Sequence, residues 1–333
     1  MIKHITRRTI LKTTAGAVLG GAALGRPRPA RAATKIRFVT NFFAEQAHGG
    51  NYQALATGLY QKAGLDVTIV QGGPQINAMQ LMLGGNVDII MGKCTAVLNG
   101  IENSVPAITV AASYQWELQG AMTHPDVNTL ADLKTRKLMM TSSGRTNYWP
   151  WLKKKYGFTD DQAMPYTDNL QPFFVDNNIS VAALASDEPY VAEEHKMPIK
   201  FFAFLKEGWP PYGAPLVTTQ DFLSKNRGAV AAFVRASLEG WKSYMADPAP
   251  GNALIKAENP KMTDGEIGFG LRVFRDLKII EGGDAATMGI GIMTDARWKE
   301  IRDFMVDAQL LKPATDWKAA YTTEFVKDLH IMM

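Results

Sequence analysis

Ile36-Arg37-Phe38-Val39-Thr40 alternates apolar and polar side chains with the period of a strand. Past a loop running from Asn41 to Asn51, Tyr52, Leu55, Ala56 and Leu59 fall at i, i+3, i+4 and i+7. That is the stripe of an amphipathic helix, and Gly64 is suited to end it in the left-handed conformation. Leu65 to Val70 reads as a second strand. Gln71-Gly72-Gly73-Pro74 then breaks the chain, Ile76, Met79, Met82 and Leu83 make a second helical stripe, and Gly84-Gly85 stops it. Val87 to Met91 is a short apolar run of the kind buried inside a parallel sheet. Alternation of this sort predicts an α/β fold with a mostly parallel sheet, in which ligands bind at the carboxyl ends of the strands. Three loops qualify: Asn41 to Asn51, Gln71 to Gln75, and Gly92 to Thr95.

Val105 to Tyr114 predicts a further strand, followed by Gln115-Trp116-Glu117, and then the pattern restarts. Thr129-Leu130-Ala131-Asp132-Leu133 has the spacing of a helix-capping box. Leu138 to Met140 reads as a strand, Thr141 to Thr146 as a loop, and Trp149 to Tyr156 as a helix with Pro150 in its first turn and Gly157 past its end. Val181 to Ala185 and Lys200 to Leu205 are two more short strands. The restart points to a second α/β lobe over residues 116 to 211, with Pro210-Pro211 marking the way out. Leu216 to Thr219 is strand-like, Ala229 to Met245 is a long helix, and the chain from Asp264 onward is helical by period.

A chain of 333 residues is long enough for two domains, each with its own core, and a hydrophobic share of 46% with 20% charged residues fits a globular protein. The formal charge of +4 is misleading, because residues 1 to 32 hold Lys3, Arg7, Arg8, Lys12, Arg26, Arg28 and Arg31 and no acid. Without those seven, 29 cations face 32 anions, which argues against a nucleic-acid partner. Thr6-Arg7-Arg8-Thr9-Ile10-Leu11-Lys12 and the small, apolar run behind it look like a twin-arginine export signal, and Ala30-Arg31-Ala32 fits a cleavage site. The expectation is an exported, periplasmic protein starting at Ala33. A single cysteine, Cys94, excludes a disulfide framework and a multi-cysteine metal site.

Three segments carry a family resemblance: His48-Gly49-Gly50-Asn51-Tyr52-Gln53-Ala54-Leu55-Ala56-Thr57-Gly58-Leu59-Tyr60 through Gly64-Leu65-Asp66-Val67; Gly85-Asn86-Val87-Asp88-Ile89; and Leu130-Ala131-Asp132-Leu133-Lys134 through Leu152 to Phe158. With them the chain resembles the solute-binding proteins of bacterial ABC importers, in the group of nitrate, sulfonate and pyrimidine-precursor (thiamine-precursor) binders. The resemblance implies a two-lobe clamshell of the type II periplasmic-binding-protein class. Lobe I would comprise residues 33–115 and 212–333 and lobe II residues 116–211, with crossings near Gln115 to Leu118 and Pro210 to Tyr212. It further implies a small-molecule ligand held between the lobes and a permease partner in the inner membrane; a monomer is expected, and no cofactor, since no cofactor motif occurs.

The candidate site follows from the loops. His48 looks like part of the corresponding loop of the pyrimidine-precursor binders, with Gly49 and Gly50 permitting close backbone approach; its plain alternative is to bound the helix. Phe42 and Phe43 are adjacent, so in an extended segment one would stack on a ligand and the other enter the core. Asn41 and Tyr52 are hydrogen-bonding candidates. Lys93, Cys94 and Thr95 stand where a strand ends and a helix begins, as do Ser142 and Ser143, and Arg145 has the forked donors that suit an oxyanion. Trp116, Tyr148 and Trp149 are candidate aromatic walls, with Trp149 equally suited to the core. Asp187 and Glu188 could accept from a ring amine or cap the next helix.

No Gly-x-Ser-x-Gly elbow, His-Glu-x-x-His pair or phosphate loop occurs, so an enzyme is not expected. The enzyme alternative is the yeast-type pyrimidine synthase, whose cysteine-rich motif one cysteine cannot supply. The expected ligand is a small planar, nitrogen-containing ring, with a sulfonate, nitrate or carboxylate oxyanion as the alternative.

Overall fold

The structure is a computed structural model that describes residues Ala33–Met333. The expected export signal and cleavage site lie outside the described residues. Chain order begins β1 (Thr34–Val39), α1 (Gly49–Ala56), α2 (Leu59–Lys62), β2 (Leu65–Val70), α3 (Ala78–Leu83), β3 (Ile89–Met91), α4 (Cys94–Glu102) and β4 (Ala107–Tyr114). It continues with β5 (Gln119–Thr123), β6 (Lys137–Met140), α5 (Ser142–Thr146), α6 (Trp149–Tyr156), β7 (Ala163–Pro165), α7 (Gln171–Val175), β8 (Ile179–Leu184), α8 (Glu188–Glu194) and β9 (Lys200–Ala203). The last third holds β10 (Gly213–Thr219), α9 (Gln220–Ala246), α10 (Ala249–Glu258), α11 (Asp264–Asp276), α12 (Ala285–Met288) and α13 (Asp295–Asp307).

Two five-stranded sheets result, ordered β2-β1-β3-β10-β4 and β7-β6-β8-β5-β9. Within each, one strand runs against the others: β10 is antiparallel to β3 and β4, and β5 is antiparallel to β8 and β9. These are the strands entered immediately after the chain passes between sheets. The chain leaves β4 and β9 at their carboxyl ends, so the next strand starts at that end of its own sheet and must run away from it. Helices flank both sheets, the α/β architecture expected from the sequence.

Several local expectations need correction. The stripe from Tyr52 to Leu59 is not one helix: Gly58 adopts φ 71° and splits it, and residues 51 to 54 are buried all round while Ala56 is exposed. Gly64, at φ 76°, does end the second piece in the left-handed region. Thr141 to Thr146 is not a loop but caps and forms the short helix α5, with Thr141 Oγ1 accepting from Gly144 N. Strand β5 was unexpected, because Gln-Gly-Ala-Met-Thr has little β propensity. The chain beyond α13 is largely non-helical and returns to the first sheet, where Tyr321 bridges Thr109.

Candidate functional site

The carboxyl ends of the two sheets face each other across a cavity of about 260 Å³, toward the small end of metabolite sites. The loop after β1 supplies Asn41, Phe42, Phe43 and Glu45, the loop after β2 supplies Gly73 and Pro74, and the end of β3 supplies Lys93. Across the gap, Ser143, Gly144 and Tyr148 follow β6, Tyr166 and Asp168 follow β7, and Asp187 and Glu188 follow β8. The α10 to α11 segment closes the rim with Asn259, Lys261 and Glu266.

Phe42 and Phe43 both line the cavity, half-buried and edge-on at 5.1 Å between ring centroids, so neither enters the core. The expectation of opposite faces fails because the segment bends: Thr40 Oγ1 donates to Phe42 O (2.7 Å) and Gly72 N donates to the same oxygen (3.1 Å). Gly72 is required there, since a Cβ would stand 2.2 Å from Thr40 O.

Eight of the sixteen sequence candidates line the cavity: Asn41, Phe42, Phe43, Lys93, Ser143, Tyr148, Asp187 and Glu188. The other eight do not. His48 is fully buried behind the wall, where its Nε2 donates to Asn41 Oδ1 (3.0 Å), and burial pushes its pKa down to about 3. It is a neutral support for Asn41. Tyr52 belongs to the first core, and Gly49 and Gly50 are packed under the rings of Tyr244 and Trp241, so the close approach they permit is to a helix and not to a ligand. Cys94 is buried against Tyr212 O, with its thiol pushed upward by burial. Thr95 Oγ1 donates to Asn147 Oδ1, and Ser142 Oγ donates to Gln75 Oε1 (2.8 Å).

Arg145 is exposed and its Nη2 donates to Ala163 O (2.9 Å), away from the cavity. Trp116 lies under the Arg297 guanidinium, 4.7 Å from the ring centre, and is not a cavity wall. Trp149 is core, 2% exposed, with Nε1 donating to Asp160 Oδ1 (2.8 Å).

Direct bonds bridge the two sheets' sides of the cavity. Gln46 Nε2 donates to Ser186 O (3.0 Å) and to Asp187 Oδ1, and the Lys261 ammonium lies 3.7 Å from Asp168. The Thr95–Asn147 and Ser142–Gln75 bonds also cross between the two sides.

Residues 45–250 match a family model described as NMT1/THI5 like. The chain belongs to the NMT1/THI5-like family. No curated protein sequence matches it. Solved structures share its fold at low identity. A Candida albicans gene product described as having the generic periplasmic binding protein fold aligns at TM-score 0.62 and 12% identity, covering 87% of this chain and 96% of its own. The alkanesulfonate-binding protein SsuA from Xanthomonas axonopodis pv. citri, bound to MOPS, aligns at TM-score 0.62 and 11% identity, covering 88% and 99%. The desulfurization enzyme DSZB aligns at TM-score 0.52 and 11% identity, covering 89% and 98%. The fold is therefore that of the periplasmic binding proteins.

The lining of this NMT1/THI5-like chain also holds groups outside the sixteen candidates, among them three acids. Glu45, Asp168 and Glu266 join Asp187 and Glu188 in the lining, against Lys93 and Lys261. Both lysines are already engaged, Lys93 by Glu117 at 2.9 Å and Lys261 by Asp168. Among the described residues no arginine lines the cavity. Burial, reinforced by the Asp187 carboxylate, pushes the Glu188 pKa up to about 8, and burial with Asp187 and Asp168 nearby pushes Glu266 up to about 7. Burial also lifts Asp187 to about 6, and Glu45 stands well above the usual carboxylate range for the same reason, with Asp187 adding to it. Only the adjacent pair Asp187-Glu188 was visible as a candidate, since the others lie far apart in sequence.

For each of these acids the folded pKa stands above the unfolded one, so the native protein holds protons that the unfolded chain releases. Their contribution is intact below about pH 4 and is lost as pH rises toward 8. The melting temperature of the ligand-free protein is accordingly expected to fall between pH 5 and pH 8, and Asp187→Asn to flatten that slope. A melting temperature that climbs over the interval in wild type would contradict the assignment. Among the described residues no group of three or more His, Cys, Asp and Glu side chains is placed to hold a metal ion, and no helix is long and apolar enough to cross a membrane.

Proposed function

We propose that this NMT1/THI5-like protein is the ligand-capturing component of an ABC importer, exported to the periplasm by its Thr6 to Lys12 signal. Lobe I (33–115 and 212–333) and lobe II (116–211) would hinge shut on a small planar, nitrogen-containing ring, shifting an open-to-closed population toward the form a permease receives. The observation that carries this reading is the pairing of aromatic side chains on opposite walls, Phe42 and Phe43 from one and Tyr148 and Tyr166 from the other. Flat rings between them gain stacking worth about 1 kcal/mol per face beyond area burial. Asn41 and Gln119, each with one end of its amide engaged by the protein, add groups able to pair with ring nitrogens or exocyclic amines.

The groups that chemistry would call on, His48 and Cys94, sit behind the lining, which supports binding over turnover. The sulfonate ligand of SsuA keeps an oxyanion reading in play. Against it, Arg145 points away and the two lining lysines are already paired, which leaves a bound anion little free positive charge.

Differential scanning fluorimetry of the purified protein separates the two. Aminopyrimidines and related nitrogen rings are expected to raise the melting temperature, and nitrate and alkanesulfonates to leave it unchanged. Stabilisation by an alkanesulfonate and by no ring compound would overturn the proposal.

A further inference from the structure

We infer that the ligand is an organic cation, and that its positive charge is the counter-ion that allows the two lobes to close. This rests on the ring-binding reading and adds the ligand's charge class to it. Glu45 and Glu266 from one side of the cleft line the same cavity as Asp168, Asp187 and Glu188 from the other. Like charges gathered out of water repel strongly unless something neutralises them.

The neighbours do so only in part. Gln46 Nε2 and Ser186 Oγ donate to Asp187, the latter at 2.7 Å, and Leu184 N donates to Glu188 Oε2 at 2.7 Å. Lys261 is matched to Asp168, and Lys93 to Glu117. Glu45 is left over: it is 5% exposed, lines the cavity, and its Oε1 has no hydrogen-bond partner among the described residues. The nearest basic group, His48 Nε2 at 3.9 Å, is the buried neutral imidazole already donating to Asn41. Of the other titratable groups packed near this loop, the hydroxyl of Tyr114 donates to Ala47 O, and the buried hydroxyl of Tyr52 lies close enough for the Glu45 charge to push its pKa up.

A buried carboxylate oxygen with nothing to accept, beside three more carboxyl groups, is an acceptor set for a planar cation with N–H donors, such as an amidinium or an aminopyrimidinium. Phe and Tyr faces attract the same charge. The acids are spread around the cavity and not gathered on one point, which fits an organic ion better than a metal. Because the empty site holds protons, the cation must displace some of them, so binding tightens as pH rises through the range where these acids ionise.

Three isosteres test this by titration calorimetry on the purified protein: benzamidine (cation), benzamide (neutral) and benzenesulfonate (anion). Benzamidine is expected to bind at least tenfold tighter than benzamide, with benzenesulfonate weakest. Its affinity is expected to rise from pH 5 to pH 8, with proton release seen as buffer-dependent heat. Glu45→Gln is expected to cost benzamidine at least tenfold and to shrink its advantage over benzamide by the same order, its melting curve reporting that it folds; Glu266→Gln serves as the second variant. Equal binding of benzamide and benzamidine overturns the charge inference and leaves the ring reading standing. Failure of benzamidine to bind overturns the inference, and binding of alkanesulfonate or nitrate in place of all three overturns both.

Discussion

Gly240→Ala is expected to destabilise the protein by about 2 kcal/mol or more, lowering the melting temperature by roughly 5 °C. The direction runs against helix propensity. Gly240 lies inside the 27-residue helix α9, where alanine would ordinarily gain about 1 kcal/mol. Here its Cβ would stand 2.2 Å from the carbonyl oxygen of Gly50 and 2.8 Å from Ala54 Cβ, so the clash is with the backbone of α1 and cannot be relieved by turning a side chain. Overpacking of that kind costs about 1–3 kcal/mol or more and outweighs the propensity gain. Gly50→Ala is expected to act in the same direction, since its Cβ would meet the Trp241 ring at 2.2 Å. Calorimetric melting of both variants checks this, and an unchanged or raised melting temperature for Gly240→Ala would refute the packing of α1 on α9.

Trp209→Ala is expected to have the largest effect of any single substitution considered, about 4 kcal/mol, or roughly 10 °C in melting temperature. Trp209 stands where the chain returns from the second sheet to the first and is 1% exposed, packed tilted against Trp151 (5.1 Å) and edge-on to Phe304 (5.5 Å). Its Nε1 donates to Glu117 Oε2 at 2.5 Å, and Glu117 belongs to the outgoing crossing and holds Lys93 through its other oxygen. One indole thus ties both crossings to each other and to the cavity wall. Trp209→Phe keeps most of the packing but strands a buried carboxylate oxygen, a loss of about 1–3 kcal/mol. The two variants should therefore rank Ala below Phe below wild type. If Phe matches wild type, the indole N–H bond contributes nothing to stability, and if Ala does too, the crossings are held by something else.

Much of the fold was legible because strand and helix periods are local. Leu65 to Val70 and Trp149 to Tyr156 fall where the alternation and the Pro150–Gly157 pair put them, and the Thr129–Asp132 capping box forms. What escaped was governed by distant partners. Strand β5 takes its place from its neighbours β8 and β9, whatever its own weak propensity. Around the cavity, half of the candidate side chains face it and others turn elsewhere: Arg145 donates to a strand carbonyl, Trp116 lies beneath Arg297, and His48 sits behind Asn41.

The amino-acid sequence by itself determined that strands and helices alternate twice, that the loops at Asn41, Gly72 and Gly92 sit at strand carboxyl ends, and that aromatic and acidic groups are available there. These follow from spacing over a few residues, where backbone geometry alone dictates which side chains share a face. Only the tertiary structure decided which groups meet. Glu45, Asp168, Asp187, Glu188 and Glu266 come from segments far apart along the chain, and their pKa values rise because folding takes them out of water together. Charge and burial are properties of the assembled cleft, and no local period encodes them.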